Sequence, residues 1–232
     1  MFLRGVWMKI FAKRFFFLVF GLFLFSLGIV ITLRANIGYA PWEVFHAGFA
    51  KATGLSFGMA SIVIGVFVAV VVTILGEKPG LGTLFSMTIT GLFIDLILWI
   101  DVIPLSANLP IGIFMLVAGF FVVSFGTCLY LKSSFGAGPR DNLMIVLNRK
   151  TKLPVGVCRG AVELIVTLVG WLLGGMLGVG TVISVLAAGF CIQAVFGIMK
   201  FDASSVNHET LAQTYRTLKL LRGVKNETNE KI

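Results

Sequence analysis

The chain has 232 residues, of which 58% are hydrophobic and only 12% charged, with a mean hydropathy of +1.01. A soluble domain carries roughly 25% charged residues, so this composition excludes a water-soluble globule and makes lipid the main solvent. The net charge of +9 does not point to nucleic acid, because the basic residues fall between apolar runs rather than along one stripe.

In chain order, residues 1–14 carry Arg4, Lys9, Lys13 and Arg14 beside Trp7 and Phe11, and read as a basic amphipathic segment in the membrane interface. Crossing a hydrocarbon core takes about 20 mostly apolar residues. Six runs qualify: 15–33, 57–75, 81–100, 111–131, 155–173 and 178–199. The first is too long for the apolar region of a signal peptide. Residues 101–112 form an external linker. Residues 200–232 are the ordinary soluble stretch, with Leu211, Tyr215, Leu218 and Arg222 at the spacing of a short helix. From a cytoplasmic N-terminus, sixteen Lys and Arg fall in inside segments and two, Arg34 and Lys51, outside. That bias places both termini in the cytoplasm. Cys128, Cys158 and Cys191 lie in or beside apolar runs and, without metal or disulfide spacing, read as packed free thiols.

Sliding the chain by 98 residues aligns 15–100 with 113–198 without a gap, and eight of the eleven glycines in the first window land on glycine in the second. Chance placement would give about two such matches. Each copy holds three spans, an odd number, so the second enters the membrane from the opposite side. The expected fold is an all-α polytopic membrane protein. Its six transmembrane helices form two inverted-topology three-helix repeats, 15–100 and 113–199. A short re-entrant or interfacial helix follows the first span of each.

Those short helices begin at Gly38-Tyr-Ala-Pro-Trp-Glu-Val-Phe-His and Gly136-Ala-Gly-Pro-Arg-Asp-Asn-Leu-Met. Proline at the first helical position, with an acid in the first turn, marks a helix start, giving helices from Pro41 to about Lys51 and from Pro139 to about Lys150. Two readings stay open. As re-entrant half-helices, they bring their N-termini together near the midplane and form a ligand site there. As interfacial helices, they lie flat with Trp42 in the headgroup belt. Glu43 and Asp141 can cap their own helix starts. Arg140 adds a cation where the first copy has Trp42, an asymmetry that suits a zwitterion. His46 reads either as a pH sensor or as an interfacial residue beside Trp42.

Charge at membrane depth is costly and usually faces an interior or a pathway. Asp95 and Gln193 occupy matching positions in the two copies, as a coupling pair or as helix-linking hydrogen-bond groups. Arg159 and Glu163, spaced i,i+4, can pair on one helix face; their counterparts Ser61 and Gly65 are small. Gly80-Leu-Gly-Thr83 and Gly178-Val-Gly-Thr181 read as tightly packed turns rather than anion sites. No catalytic constellation, metal-ligand set or cofactor motif is visible, so the chain reads as a non-enzyme.

These residues resemble the YczE/YyaS/YitT-type bacterial integral membrane proteins, nearest the YczE branch. The resemblance is carried by Pro-Trp-Glu-Val-Phe-His (41–46), Thr-Gly-Leu-Ser-Phe-Gly (53–58), Lys-Pro-Gly-Leu-Gly-Thr (78–83), Gly-Leu-Phe-Ile-Asp (91–95), Gly-Pro-Arg-Asp (138–141), Arg-Gly-Ala-Val-Glu (159–163) and Gly-Trp-Leu-Leu-Gly-Gly (170–175). It spans about 15–200. Glu43 stands where that branch usually has Asp, and Asn142 where it usually has Gly. The resemblance implies a bacterial cytoplasmic membrane protein of a kind generally regarded as a transporter, and it marks Pro41, Trp42, Glu43, Asp95, Pro139, Arg140, Asp141, Arg159 and Glu163 as motif positions.

The expected function is a secondary transporter or permease for a small polar metabolite, zwitterionic or anionic. Pro41, Trp42, Glu43, His46, Pro139, Arg140, Asp141 and Asn142 form the substrate site, and Asp95, Arg159, Glu163 and Gln193 are the intramembrane polar or proton-coupling groups. The expected partners are the lipid bilayer and the substrate, with a second copy of the chain admitted and nucleic acid excluded. The alternative is a non-transporting scaffold or assembly factor acting through its cytoplasmic tail. A passive channel ranks last, for want of polar groups along the spans.

Overall fold

A computed structural model describes residues 2–76, 81–135 and 138–201. The described residues form eight helices: α1 (Phe2–Arg34), α2 (Pro41–Thr53), α3 (Phe57–Ile74), α4 (Leu81–Ile100), α5 (Leu109–Lys132), α6 (Pro139–Thr151), α7 (Val155–Leu172) and α8 (Val179–Ile198). Six of these, all but α2 and α6, are long and apolar enough to cross a membrane. Their outward faces carry large apolar side chains such as Phe67, Ile74, Phe114, Leu172 and Phe190, as a lipid-facing surface requires. The segment expected as a separate interfacial helix, 1–14, continues unbroken into the first span: no proline interrupts Phe2–Arg34. The expected tail helix after residue 201 and the Gly80 turn lie outside the described residues.

Local chemistry sets the helix ends. Ser56 caps α3 by accepting the Met59 N–H at 3.1 Å, and Asn108 caps α5 through Ile111 N–H at 3.0 Å. Proline opens α2 and α6, where the missing N–H costs nothing. The starts and ends of α2, α3 and α4 recur 98 residues later in α6, α7 and α8. Left-handed residues recur as well: Asn36 with Ser134, Gly54 with Lys152, and Gly76 with Gly174. Two of those pairs differ in residue type, so the backbone path repeats beyond the sequence identity.

The centre of the molecule is the α1–α5 seam, an antiparallel pair. Gly21 faces Gly126 and Tyr130, and Gly28 faces Gly119 and Val123. A methyl group on Gly28 would stand 2.6 Å from the Val123 amide nitrogen, and one on Gly126 2.4 Å from that of Phe25. Only glycine permits this approach, and close backbone packing is a main source of helix association in lipid. Around the seam, α4 packs on α1 as α8 packs on α5, and α2 packs on α7 as α6 packs on α3. Cys128, Cys158 and Cys191 are buried free thiols. The Gly178 turn does pack tightly: Gly180 N–H donates to the Ile37 carbonyl at 2.7 Å, and Gly178 lies against Gly38.

Candidate functional site

The starts of α2 and α6 meet. Arg140, in the first turn of α6, reaches across to three side chains of α2. Its guanidinium stacks over Trp42, 4.7 Å from the ring centroid. Its Nη1 lies 3.4 Å from Glu43 Oε1, and its Nη2 lies 3.2 Å from Nε2 and 3.4 Å from Nδ1 of His46. A guanidinium only donates, so the imidazole meets it as a neutral acceptor. Trp42, Glu43 and His46 are 7%, 8% and 2% exposed, which turns Trp42 into the protein interior. There it packs with Ile64, Val68, Met144 and Val166. Neither Ala40 nor Gly138 caps its helix through a side chain. Proline supplies no N–H at the first position, so the amides of Trp42, Glu43, Arg140 and Asp141 are those without an intrahelical acceptor.

Burial, and after it the Arg140 charge, push the His46 pKa well below the ordinary histidine value. The unfolded chain therefore binds this proton at a higher pH than the folded one. The stability from His46 is complete above about pH 6.5 and is lost as pH falls below it. Thermal unfolding in detergent should show the melting temperature falling on acidification from neutrality, by about 2–4 °C for each kcal/mol lost in a chain this size. The variant H46Q should flatten that slope.

A cavity of about 530 Å³ opens beside the Arg140 cluster, a size ordinary for small-molecule sites. Its walls pair residues 98 apart: Pro41 with Pro139, Trp42 with Arg140, His46 with Met144, Ser61 with Arg159, Gly65 with Glu163, and Ser86 with Ser184. Arg159 and Glu163 form an ion pair at 2.7 Å. The described part of the cavity thus carries two cations and two carboxylates, Arg140 with Glu43 and Arg159 with Glu163.

Of the residues expected at the site, Pro41, Trp42, Glu43, His46, Pro139, Arg140, Arg159 and Glu163 line this cavity, while Asn142, Asp95 and Gln193 are not among its walls. The side chain of Asp141 lies outside the description. Asp95 instead accepts the Gly58 N–H at 2.7 Å and the Ser56 hydroxyl at 2.5 Å, tying α4 to the start of α3. Gln193 is exposed on α8. The cavity also has hydroxyl-bearing walls that sequence reasoning passed over, Ser86, Ser184, Thr90, Thr127 and Tyr130. Ser86 and Ser184 are identical residues at the 98-residue offset, a signal the glycine matches overshadowed.

A model of a family of unknown function, DUF6198, matches residues 12–196. The chain belongs to this family. The chain is 35% identical over 182 residues to an uncharacterized protein of Haemophilus influenzae, covering 78% of this chain and 83% of that one. It is 29% identical over 175 residues to the uncharacterized membrane protein YczE of Bacillus subtilis, covering 75% and 80%. It is 27% identical over 191 residues to the uncharacterized protein YyaS of the same organism, covering 81% and 94%. The match bears out the YczE-like resemblance. No solved structure matches the chain. The family range runs from within α1 to near the end of α8, so it holds every cavity wall named above.

Proposed function

We propose that this protein is a secondary transporter of a small zwitterionic metabolite, built from two inverted halves in the cytoplasmic membrane, with both termini in the cytoplasm. The observation that carries the reading is the cavity whose walls pair residues 98 apart and include both helix starts, Pro41 with Trp42 and Pro139 with Arg140. Inverted-repeat transporters bind substrate at the repeat interface, where broken or short helices present their N-termini. The antiparallel run of α1 and α5, equivalent helices, supports the inversion. The burial of Trp42, Glu43 and His46 supports α2 and α6 as re-entrant rather than flat.

The chemistry fits a zwitterion. Arg140 holds Glu43 only at 3.4 Å, a long contact, and the guanidinium has five N–H donors. A ligand carboxylate can occupy those donors and the helix-start amides that have no intrahelical acceptor. Glu43 and Glu163 then face a ligand ammonium. Glu163, at the cavity wall and paired with Arg159, is the candidate for proton coupling; Asp95 is not among the cavity walls. The reading is of binding and translocation without covalent chemistry.

The test is flux in proteoliposomes. Ligands are first found by thermal stabilisation from a panel of amino acids and betaines, then followed as radiolabelled uptake with and without an imposed pH gradient. Saturable uptake, accelerated by the gradient, is the expected result. Stabilising ligands that never cross the bilayer would sink the transporter reading.

A further inference from the structure

The two halves share a backbone plan but do not stand in the same state. In the first half, α3 and α4 are sealed together. A methyl on Gly58 would fall 2.1 Å from the Gly91 carbonyl oxygen, and one on Gly91 2.5 Å from Ile62 Cγ1. Asp95 closes the same joint through Gly58 N–H and Ser56. In the second half, the equivalent α7 and α8 do not pack along each other among the described residues. A methyl on Gly156 or Gly189, the counterparts of Gly58 and Gly91, would meet no atom within 4 Å.

The cavity follows this difference. It reaches Gly156, Gly189 and Ile192, but not their counterparts Gly58, Gly91 and Ile94. Glycine inside a helix is less stable than alanine, and among the described residues no atom stands within 4 Å of a methyl placed on Gly156 or Gly189. A state in which α7 and α8 close as α3 and α4 do would use both.

We infer that the protein exchanges the conformations of its halves. In the second state, Gly156 packs on Gly189 with Gln193 bonded at the start of α7, while Gly58 and Gly91 part and the cavity opens between α3 and α4. Asp95 and Gln193 are then the positioning residues of two opposed latches. The observed state is the one held by the stronger latch: Asp95 is a carboxylate with a serine beside its target, whereas Gln193 is neutral and the residue matching Ser56 is Pro154, which has no hydroxyl. The inference rests on the inverted-half reading. With the charge bias placing the start of α7 at the cytoplasmic face, the observed opening is the inward one.

Spin-label distances test it on the full chain in liposomes, with Cys128, Cys158 and Cys191 changed to alanine. One label pair sits at Met59→Cys and Leu92→Cys, on α3 and α4. The other sits at the positions 98 further on, Val157→Cys and Phe190→Cys, on α7 and α8. All four sites are exposed apolar residues. In the parent, the 59–92 distance is the short one, as for helices packed about 8–10 Å apart, and the 157–190 distance is longer. D95N, which weakens the closed latch, and Q193D, which strengthens the open one, are each expected to lengthen 59–92 and shorten 157–190 together. Lengthening of 59–92 with 157–190 unchanged, or no change in either pair in both variants, overturns the inference. Reciprocal change without flux of any ligand would overturn transport alone, and flux with fixed distances would overturn the exchange alone.

Discussion

Replacing Arg140 by alanine is expected to weaken ligand binding about thirty-fold or more, and uptake with it, while the protein still folds. Arg140 is the cation that joins the two helix starts: it stacks on Trp42 and touches Glu43 and His46. On the transporter reading, its removal takes away the group proposed to receive a ligand carboxylate. It also leaves Glu43, 8% exposed, without its counter-charge. Truncating one partner of a buried hydrogen-bonded charge pair costs about 2–5 kcal/mol, or roughly thirty- to several-thousand-fold in affinity. The side chain is 30% exposed, which points to the lower part of that range. Lysine at this position keeps the charge but loses the planar fork and the stacking on Trp42, so R140K should fall between the parent and R140A. The measurement is ligand-induced thermal stabilisation together with uptake at saturating ligand. Undiminished uptake by R140A would remove Arg140 from the site.

The largest effect on stability is expected from Gly28→Leu. At this point in the seam a first carbon already stands 2.6 Å from Val123 N and 2.7 Å from Gly119 O. The obstacle is backbone, which cannot rotate away as a side chain can. The helices must separate, and the close packing along the rest of the seam is lost with them. Overpacking costs typically about 1–3 kcal/mol and occasionally more; here the upper end or beyond is expected, roughly 6–12 °C in melting temperature. Gly156→Ala is the contrast: with no atom near, the gain in helix propensity should leave the resting state as stable or slightly more so. A Gly28→Leu protein melting like the parent would mean that α1 and α5 are not held by backbone contact.

Much of this architecture was legible in the sequence, for identifiable reasons. Lipid demands long apolar runs, so the six spans show in composition alone, and their described ends fall within two residues of the apolar runs except at α1, which begins at Phe2. Proline followed by an acid marked the starts at Pro41 and Pro139, and glycine matching at a fixed offset located the equivalent positions. The partner of Arg140 was not legible. Nothing in the spacing of Glu43 and Arg140, 97 residues apart, says that one stacks beside the other; that follows from how α2 and α6 lie between α3 and α7. Asp95 looked like other intramembrane acids, and its contacts with Ser56 and Gly58 depend on the tightness of the α3–α4 joint. Least visible of all was the difference between that joint and α7–α8, because Gly58 and Gly91 match Gly156 and Gly189 residue for residue while only the first pair is in contact.

The α1–α5 seam also fixes an order of events during synthesis. The small-residue face of α1 has no partner until α5 emerges, some eighty residues after α1 is complete. Glu43 and His46 likewise leave the ribosome long before Arg140 exists. The first half must therefore dwell in the bilayer as an incomplete intermediate, its glycine face and its polar cluster uncovered, and chains fold from the N-terminus as they are made. Membrane insertion and tertiary assembly are thereby separated in time, and the arrival of α5 and α6 is the step that turns three inserted helices into a protein.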